Sequence, residues 1–165
     1  MSLSNYKYYE CVYCSKTEEL NGLKYVCSSC GGNLLLKLDY EKCKKNITRN
    51  YFDTNKNLNI WRYLDLLPVN SRSNLIPLQI GWTPLYKSER AVKELGLNNL
   101  YFKDDGRNPS ASFKDRAGAV ALLNAIENKA DIITGASTGN AASSMACLSA
   151  SLGISPVIFV PKAAP

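Results

Sequence analysis

Apolar positions recur at two different spacings along this chain, and the changes between them mark its elements. Tyr8-Tyr9 and Leu23 to Val26 are short apolar runs bounded by polar residues, and they predict two short strands. Residues 43 to 57 are rich in Lys, Asn and Thr and predict a linker. Leu58 to Leu67 then sets Trp61, Leu64 and Leu67 at helical intervals and stops at Pro68, as a short amphipathic helix does. Asn70 to Asn74 is polar again. Ser88 is placed to cap a helix running to Leu95, with Gly96 at its C-terminal turn.

A regular alternation follows. It predicts a strand at Leu100 to Lys103, a helix from Phe113 to about Asn128 and a strand at Asp131 to Thr134. A small-residue helix from near Ala141 to about Leu152 and a strand at Pro156 to Val160 complete it. Such β-α-β-α-β order implies a parallel sheet with right-handed crossovers, so the fold class expected is α/β. Loops at the carboxyl ends of such strands are where open α/β sheets bind ligands.

Two of those loops carry candidate chemistry. Asn108 to Arg116 reads NPSASFKDR, and Ser112 with Asp115 has capping-box spacing, which puts Lys114 in the first helical turn. A cation is disfavoured at that positive end of the helix dipole, by a few tenths to about 1 kcal/mol. A lysine working as a neutral amine benefits from the same place. A solvated lysine offset by Asp115 accounts for the pattern equally simply. In the second loop, Asp131-Ile-Ile-Thr-Gly135 runs into Ala136-Ser-Thr-Gly-Asn140, where turn amides and the hydroxyls of Ser137 and Thr138 can converge on an anion. Alternatively, Ser137 and Thr138 only cap the next helix and Gly139 only permits the turn.

The cysteines define an N-terminal module. Cys11 and Cys14 form one C-x2-C pair and Cys27 and Cys30 another, with Gly31-Gly32 after the second. This is zinc-ribbon spacing, and four thiolates leave no open position, so the metal would be structural. Two disulfides or a dithiol redox pair would use the same residues, the former poorly suited to a reducing compartment. Cys43 and Cys147 have no partner at such spacing, and Cys147 is expected to be a buried apolar thiol.

Taken together, these segments resemble a known family. NPSASFKDR is similar to the Schiff-base lysine motif of fold-type-II pyridoxal-phosphate enzymes, and ASTGN to their loop for the coenzyme ring and substrate carboxylate. Gly81-Trp-Thr-Pro-Leu85 resembles the entry to the same catalytic unit, and Ile60-Trp-Arg-Tyr63 with Leu66-Leu-Pro68 a segment ahead of it. With the cysteine module included, the chain looks like the N-terminal portion of the threonine synthase family, of the kind with a zinc-ribbon-like extension. The resemblance implies that Lys114 binds pyridoxal 5'-phosphate covalently and moves protons as base and acid. It implies that Asn140 hydrogen-bonds the coenzyme's phenolic oxygen, and that Ser137, Thr138 and Gly139 hold the substrate anion. Ala141 departs from the pattern by replacing a frequent threonine.

The implied reaction is that of a pyridoxal-phosphate-dependent lyase converting O-phosphohomoserine and water to threonine and phosphate, in threonine biosynthesis. A cysteate-synthase-like enzyme acting on another phosphorylated amino acid shares the motifs. A zinc-ribbon module binding nucleic acid or protein, attached to an inactive fragment, is the reading from another class. The expected division is a zinc-ribbon-like module at 1–42, a linker with a short amphipathic helix at 43–80, and an incomplete parallel-sheet, three-layer catalytic domain at 81–165. No second glycine-rich loop supplies a phosphate cup, so we expect a truncated, inactive portion of a larger enzyme.

Composition narrows the setting. At 45% hydrophobic residues a core is available and disorder is not expected. The absence of histidine leaves lysine as the natural proton carrier. No apolar run reaches the roughly 18 residues of a membrane span and no signal-peptide core is present, so a cytoplasmic protein is expected. A net charge of +6 suits anionic substrates without demanding nucleic acid, and a homo-oligomer is compatible with it.

Overall fold

A computed structural model describes residues 5–70 and 75–163, and most of the polar stretch Asn70 to Asn74 lies outside them. The described residues form a mixed α/β structure in two units. One unit holds the described residues of Met1–Asn57, Trp61–Leu75 and Leu123–Asp131, and the other those of Leu58–Ile60, Ile76–Leu122 and Ile132–Pro165.

In the first unit, β1 (Tyr6–Cys11) lies between β2 (Thr17–Glu18) and β3 (Leu34–Leu38) in an antiparallel sheet. Tyr9 pairs with both Glu18 and Leu36, and Cys11 pairs with Leu34. Tyr9 and Cys11 are buried, which gives the strand one inward face. The expected strand at Leu23 to Val26 is reduced to a single bridge between Val26 and Asn33, and Leu34–Leu38 takes the central pairing instead.

Residues 43 to 57, expected as a linker, are largely helical. Asp39 caps α1 (Tyr40–Asn46) by accepting the Lys42 N–H at 3.0 Å, and Thr48 caps α2 (Arg49–Thr54) by accepting that of Tyr51 at 3.4 Å. A 3-10 segment, Ile60–Leu66, breaks at Tyr63 and buries Trp61 and Leu64, two of the three positions that the helical spacing singles out; Leu67 lies past its end and is half-buried. Three contacts hold it in this unit: the Tyr51 hydroxyl donates to Asp65 Oδ2 at 2.6 Å, Tyr6 to the Leu66 carbonyl at 2.7 Å, and Asn5 to the Asp65 carbonyl at 2.6 Å.

The second unit begins with β4 (Leu85–Lys87) and α3 (Glu89–Leu95). The Ser88 hydroxyl accepts the Ala91 N–H at 3.4 Å. At the other end Gly96 is left-handed, and Leu97 N–H reaches back to the Val92 carbonyl at 3.0 Å, a Schellman closure. That turn folds the chain back, so β5 (Tyr101–Lys103) pairs antiparallel with β4. The expectation of one parallel sheet through residues 100 to 160 is corrected here. Leu85–Lys87 is too short to register by alternation, yet it is the partner β5 takes.

Parallel pairing does hold for the last strands. β6 (Ile133–Ala136) and β7 (Pro156–Phe159) run parallel with Ile133 opposite Pro156, joined through α5 (Asn140–Ser151). β6 begins two residues later than expected, so the turn Ser137 to Gly139 follows it directly. Preceding them, α4 spans Lys114–Glu127. Among the described residues no helix is long and apolar enough to cross a membrane.

Candidate functional site

Lys114 opens α4, one residue later than the spacing predicted. Its own N–H donates to Ser112 Oγ at 3.1 Å, so the serine does cap the helix. Asp115 does not complete a reciprocal box. Its carboxylate, fully buried, accepts the Ser110 N–H at 2.7 Å and the Ser110 hydroxyl. A buried carboxylate needs several donors, and Ser110 offers two at once. Between them Ala111 is forced into the left-handed region at φ 57°. The Lys114 side chain is exposed, its amine 4.7 Å from the centre of the Phe113 ring, and it makes no salt bridge among the described residues.

Arg116 ties this turn to two other loops. Its Nε and Nη2 donate to the two oxygens of Asp105 at 2.9 and 2.8 Å, and Nη2 also donates to Thr83 Oγ1 at 3.3 Å. Thr83 in turn donates to Asp105 Oδ1 at 2.6 Å. The guanidinium fork holds the Asp105 carboxyl well below its usual range, at about 2. Buried Asn108 adds a second tie by accepting the Gly81 N–H at 2.9 Å and donating to the Asp105 carbonyl at 2.9 Å. Gly81 is itself constrained: it sits at φ 78°, and a Cβ there would lie 2.9 Å from Arg116 Nη1.

At the end of β6, Ser137 N–H continues the ladder to the Phe159 carbonyl at 3.2 Å, while Ser137 Oγ accepts the Gly139 N–H at 3.2 Å. Gly139 precedes α5 without any side-chain cap, so neither Ser137 nor Thr138 serves as one. Thr138, Gly139 and Asn140 are exposed, and Asn140 is the first residue of α5. The two helices approach closely one turn further on. A Cβ on Gly118 would lie 2.9 Å from Ser144 Oγ and 3.1 Å from Leu148 Cδ1. Lys114 and Asn140 therefore each lie one turn ahead of the same packing contact.

Within the first unit the four cysteine sulfurs gather within 4.8 Å of one another. Cys11–Cys30 and Cys14–Cys30 are 3.4 Å apart and Cys14–Cys27 3.7 Å. A tetrahedron with metal–sulfur bonds of about 2.3 Å has edges of about 3.8 Å, so the set fits zinc. The two knuckles repeat each other bond for bond. Tyr13 N–H donates to the Cys11 sulfur and Ser29 N–H to that of Cys27, each at 3.4 Å. Ser15 N–H returns to the Cys11 carbonyl at 3.1 Å and Gly31 N–H to that of Cys27 at 3.0 Å, both residues left-handed. Gly32 is required for space, because a Cβ there would collide with the Tyr13 ring. Backbone N–H groups of Cys14 and Tyr13 pull the Cys11 thiol down to about 6. Gly32 N–H acts likewise on Cys30, but the neighbouring sulfurs outweigh it and push that thiol up to about 12. Four sulfurs this close can be ionised together only around a cation.

The sequence singles out Lys114, the 137–140 turn and the cysteines, and it gives no separate role to Thr83, Asp105, Asn108 or Arg116, which the structure ties together around Asp105. Cys43 is buried, whereas Cys147 is only half-buried, its thiol pushed up by desolvation and then by the charge of Asp115.

Residues 76–165 match the family model for pyridoxal-phosphate dependent enzymes, and the chain belongs to that family. It is 38% identical over 152 residues to a threonine synthase of Methanocaldococcus jannaschii, covering 92% of this chain and 37% of that protein. A Methanosarcina acetivorans threonine synthase is 34% identical over 152 residues, covering 92% and 36%. One from Bacillus sp. (strain ULM1) is 40% identical over 101 residues, covering 61% and 28%. The chain thus spans little more than a third of the first two relatives.

Proposed function

We propose that this chain carries the coenzyme lysine and the substrate-anion turn of a threonine-synthase-like lyase. The observation that carries the reading is the placing of Lys114. It is exposed in the first turn of α4, held by its own N–H and followed by anchored Asp115 and Arg116, with the amine in no salt bridge among the described residues. Such an amine suits covalent attachment of an aldehyde, and the same nitrogen can accept and return a proton. When bound, pyridoxal phosphate supplies an electron sink for charge developing on substrate carbon. Asn140 would hold a ring substituent of the coenzyme. Ser137, Thr138 and Gly139, ahead of an uncapped helix N-terminus, would orient a carboxylate.

The reaction we assign is conversion of O-phosphohomoserine and water to threonine and phosphate, on the strength of the threonine synthases that the chain resembles. We read residues 81–165 as the N-terminal part of a three-layer catalytic domain, which the parallel β6-α5-β7 unit supports. Cys11, Cys14, Cys27 and Cys30 would bind one structural zinc. Incubation with pyridoxal phosphate and borohydride tests the reading. One peptide, that containing Lys114, should be labelled, and Lys114→Ala should abolish the label. Labelling confined to Lys103 or Lys129 would refute the assignment.

A further inference from the structure

We propose that Arg116 is a positioning residue for the Lys114 amine, acting through its fork on Asp105 and Thr83. The inference deepens the functional reading above and rests on Lys114 being the coenzyme lysine.

Three loops converge on Arg116. The entry segment contributes Thr83, the turn after β5 contributes Asp105, and the first turn of α4 contributes Arg116 itself. Lys114 is followed by two residues fixed in different ways. Asp115 pins the preceding loop through Ser110, while Arg116 pins the helix start to residues distant in sequence. The Thr83 carbonyl is occupied too, accepting from Lys103 Nζ. The network is over-determined, since losing one contact leaves two others on the same carboxylate. Gly81 gives up its side chain where Arg116 passes. A planar fork is also what the site requires, because a lysine ammonium cannot span both Asp105 oxygens and reach Thr83. None of these groups needs to touch coenzyme or substrate. Their effect is to fix where the lysine backbone stands, so that its amine explores a small volume.

The test uses this chain with Asp105→Asn, Arg116→Gln and Arg116→Lys. Arg107→Gln serves as a control, since it breaks the neighbouring exposed pair with Asp104. Each protein is first shown to be folded by circular dichroism. Pyridoxal phosphate is achiral, so its adduct shows induced circular dichroism only where the amine is held. The wild type and Arg107→Gln should show this band. The three fork variants should lose it, with borohydride labelling of Lys114 relative to Lys129 falling roughly tenfold or more. Unchanged band and ratio in folded fork variants overturn the proposal. Should an Arg116 variant not fold, the near-isosteric Asp105→Asn, which removes the charge that the guanidinium grips, decides under the same criterion.

A second probe separates the two readings. Acetic anhydride acylates amines without any coenzyme site, and the Lys114 to Lys129 ratio should still change at least severalfold between wild type and fork variants. If pyridoxal phosphate shows no preference for Lys114 but acylation depends on the fork, the coenzyme reading fails and the positioning role stands. If acylation is indifferent to the fork, the positioning role fails, whatever the coenzyme does.

Discussion

Asp115 turns its buried carboxylate back onto Ser110 and takes both the N–H and the hydroxyl of that one residue. This pair closes the loop that delivers Lys114 to its helix. Ser110→Ala should leave one carboxylate oxygen short of a donor and cost about 1–3 kcal/mol. Urea unfolding measures it, and an unchanged midpoint would remove the pair from any account of the loop's stability.

Ala111 pays for the geometry with a left-handed backbone at φ 57°. Ala111→Gly should stabilise the protein by about 0.5–1 kcal/mol, the relief of strain exceeding glycine's extra entropy cost. Ala111→Val should do the opposite. Thermal unfolding of the two variants beside wild type decides this by sign alone.

The Arg116 fork makes stability depend on acid in a definite window. Asp105 is depressed from 3.8 to about 2, so the fork's contribution is complete above the unfolded value and fades as pH falls through the folded one. Asp105→Asn should therefore flatten the stability-against-pH curve between about 4 and 2, a comparison made by denaturant titration at each pH. A wild-type curve no steeper than the variant's would contradict the ion pair.

Reduced protein should carry one zinc per chain by elemental analysis. Cys27→Ser should lose the metal and loosen the sheet β2-β1-β3, while labelling of Lys114 by pyridoxal phosphate persists. Two mapped disulfides in place of metal would defeat the prediction.

The outer face of the β6–β7 pair presents Val157 and Phe159, the latter 62% exposed, and Leu85 and Phe102 on β4 and β5 are exposed as well. The isolated chain should self-associate with rising concentration. Sedimentation should show this, and Phe159→Lys should weaken it; a strictly monomeric wild type would rule it out.

How much of this was legible depended on how local the cause was. Ser112, Ser88 and Gly96 act on neighbours within a turn, so the starts of α4 and α3 and the end of α3 could be read to within a residue. The cysteine knuckles are equally local. Residues 43 to 57 misled because their polar composition hid two capped helices; the caps Asp39 and Thr48 were the available signal. The Arg116 knot joins positions 83, 105 and 116, and no pattern along the chain marks such a convergence. β5 reads as a strand from its sequence, but its antiparallel partner is a three-residue run below the reach of periodicity.

Gly118 sets a gauge. With no side chain where α4 meets Ser144 and Leu148 of α5, it fixes how near those two helices can come. Lys114 and Asn140 each stand a single turn from that point. The reach between amine and amide can thus be retuned by one methyl group placed at 118, with every group that would grip the coenzyme left chemically intact. Evolution or design could alter the fit of this site from behind.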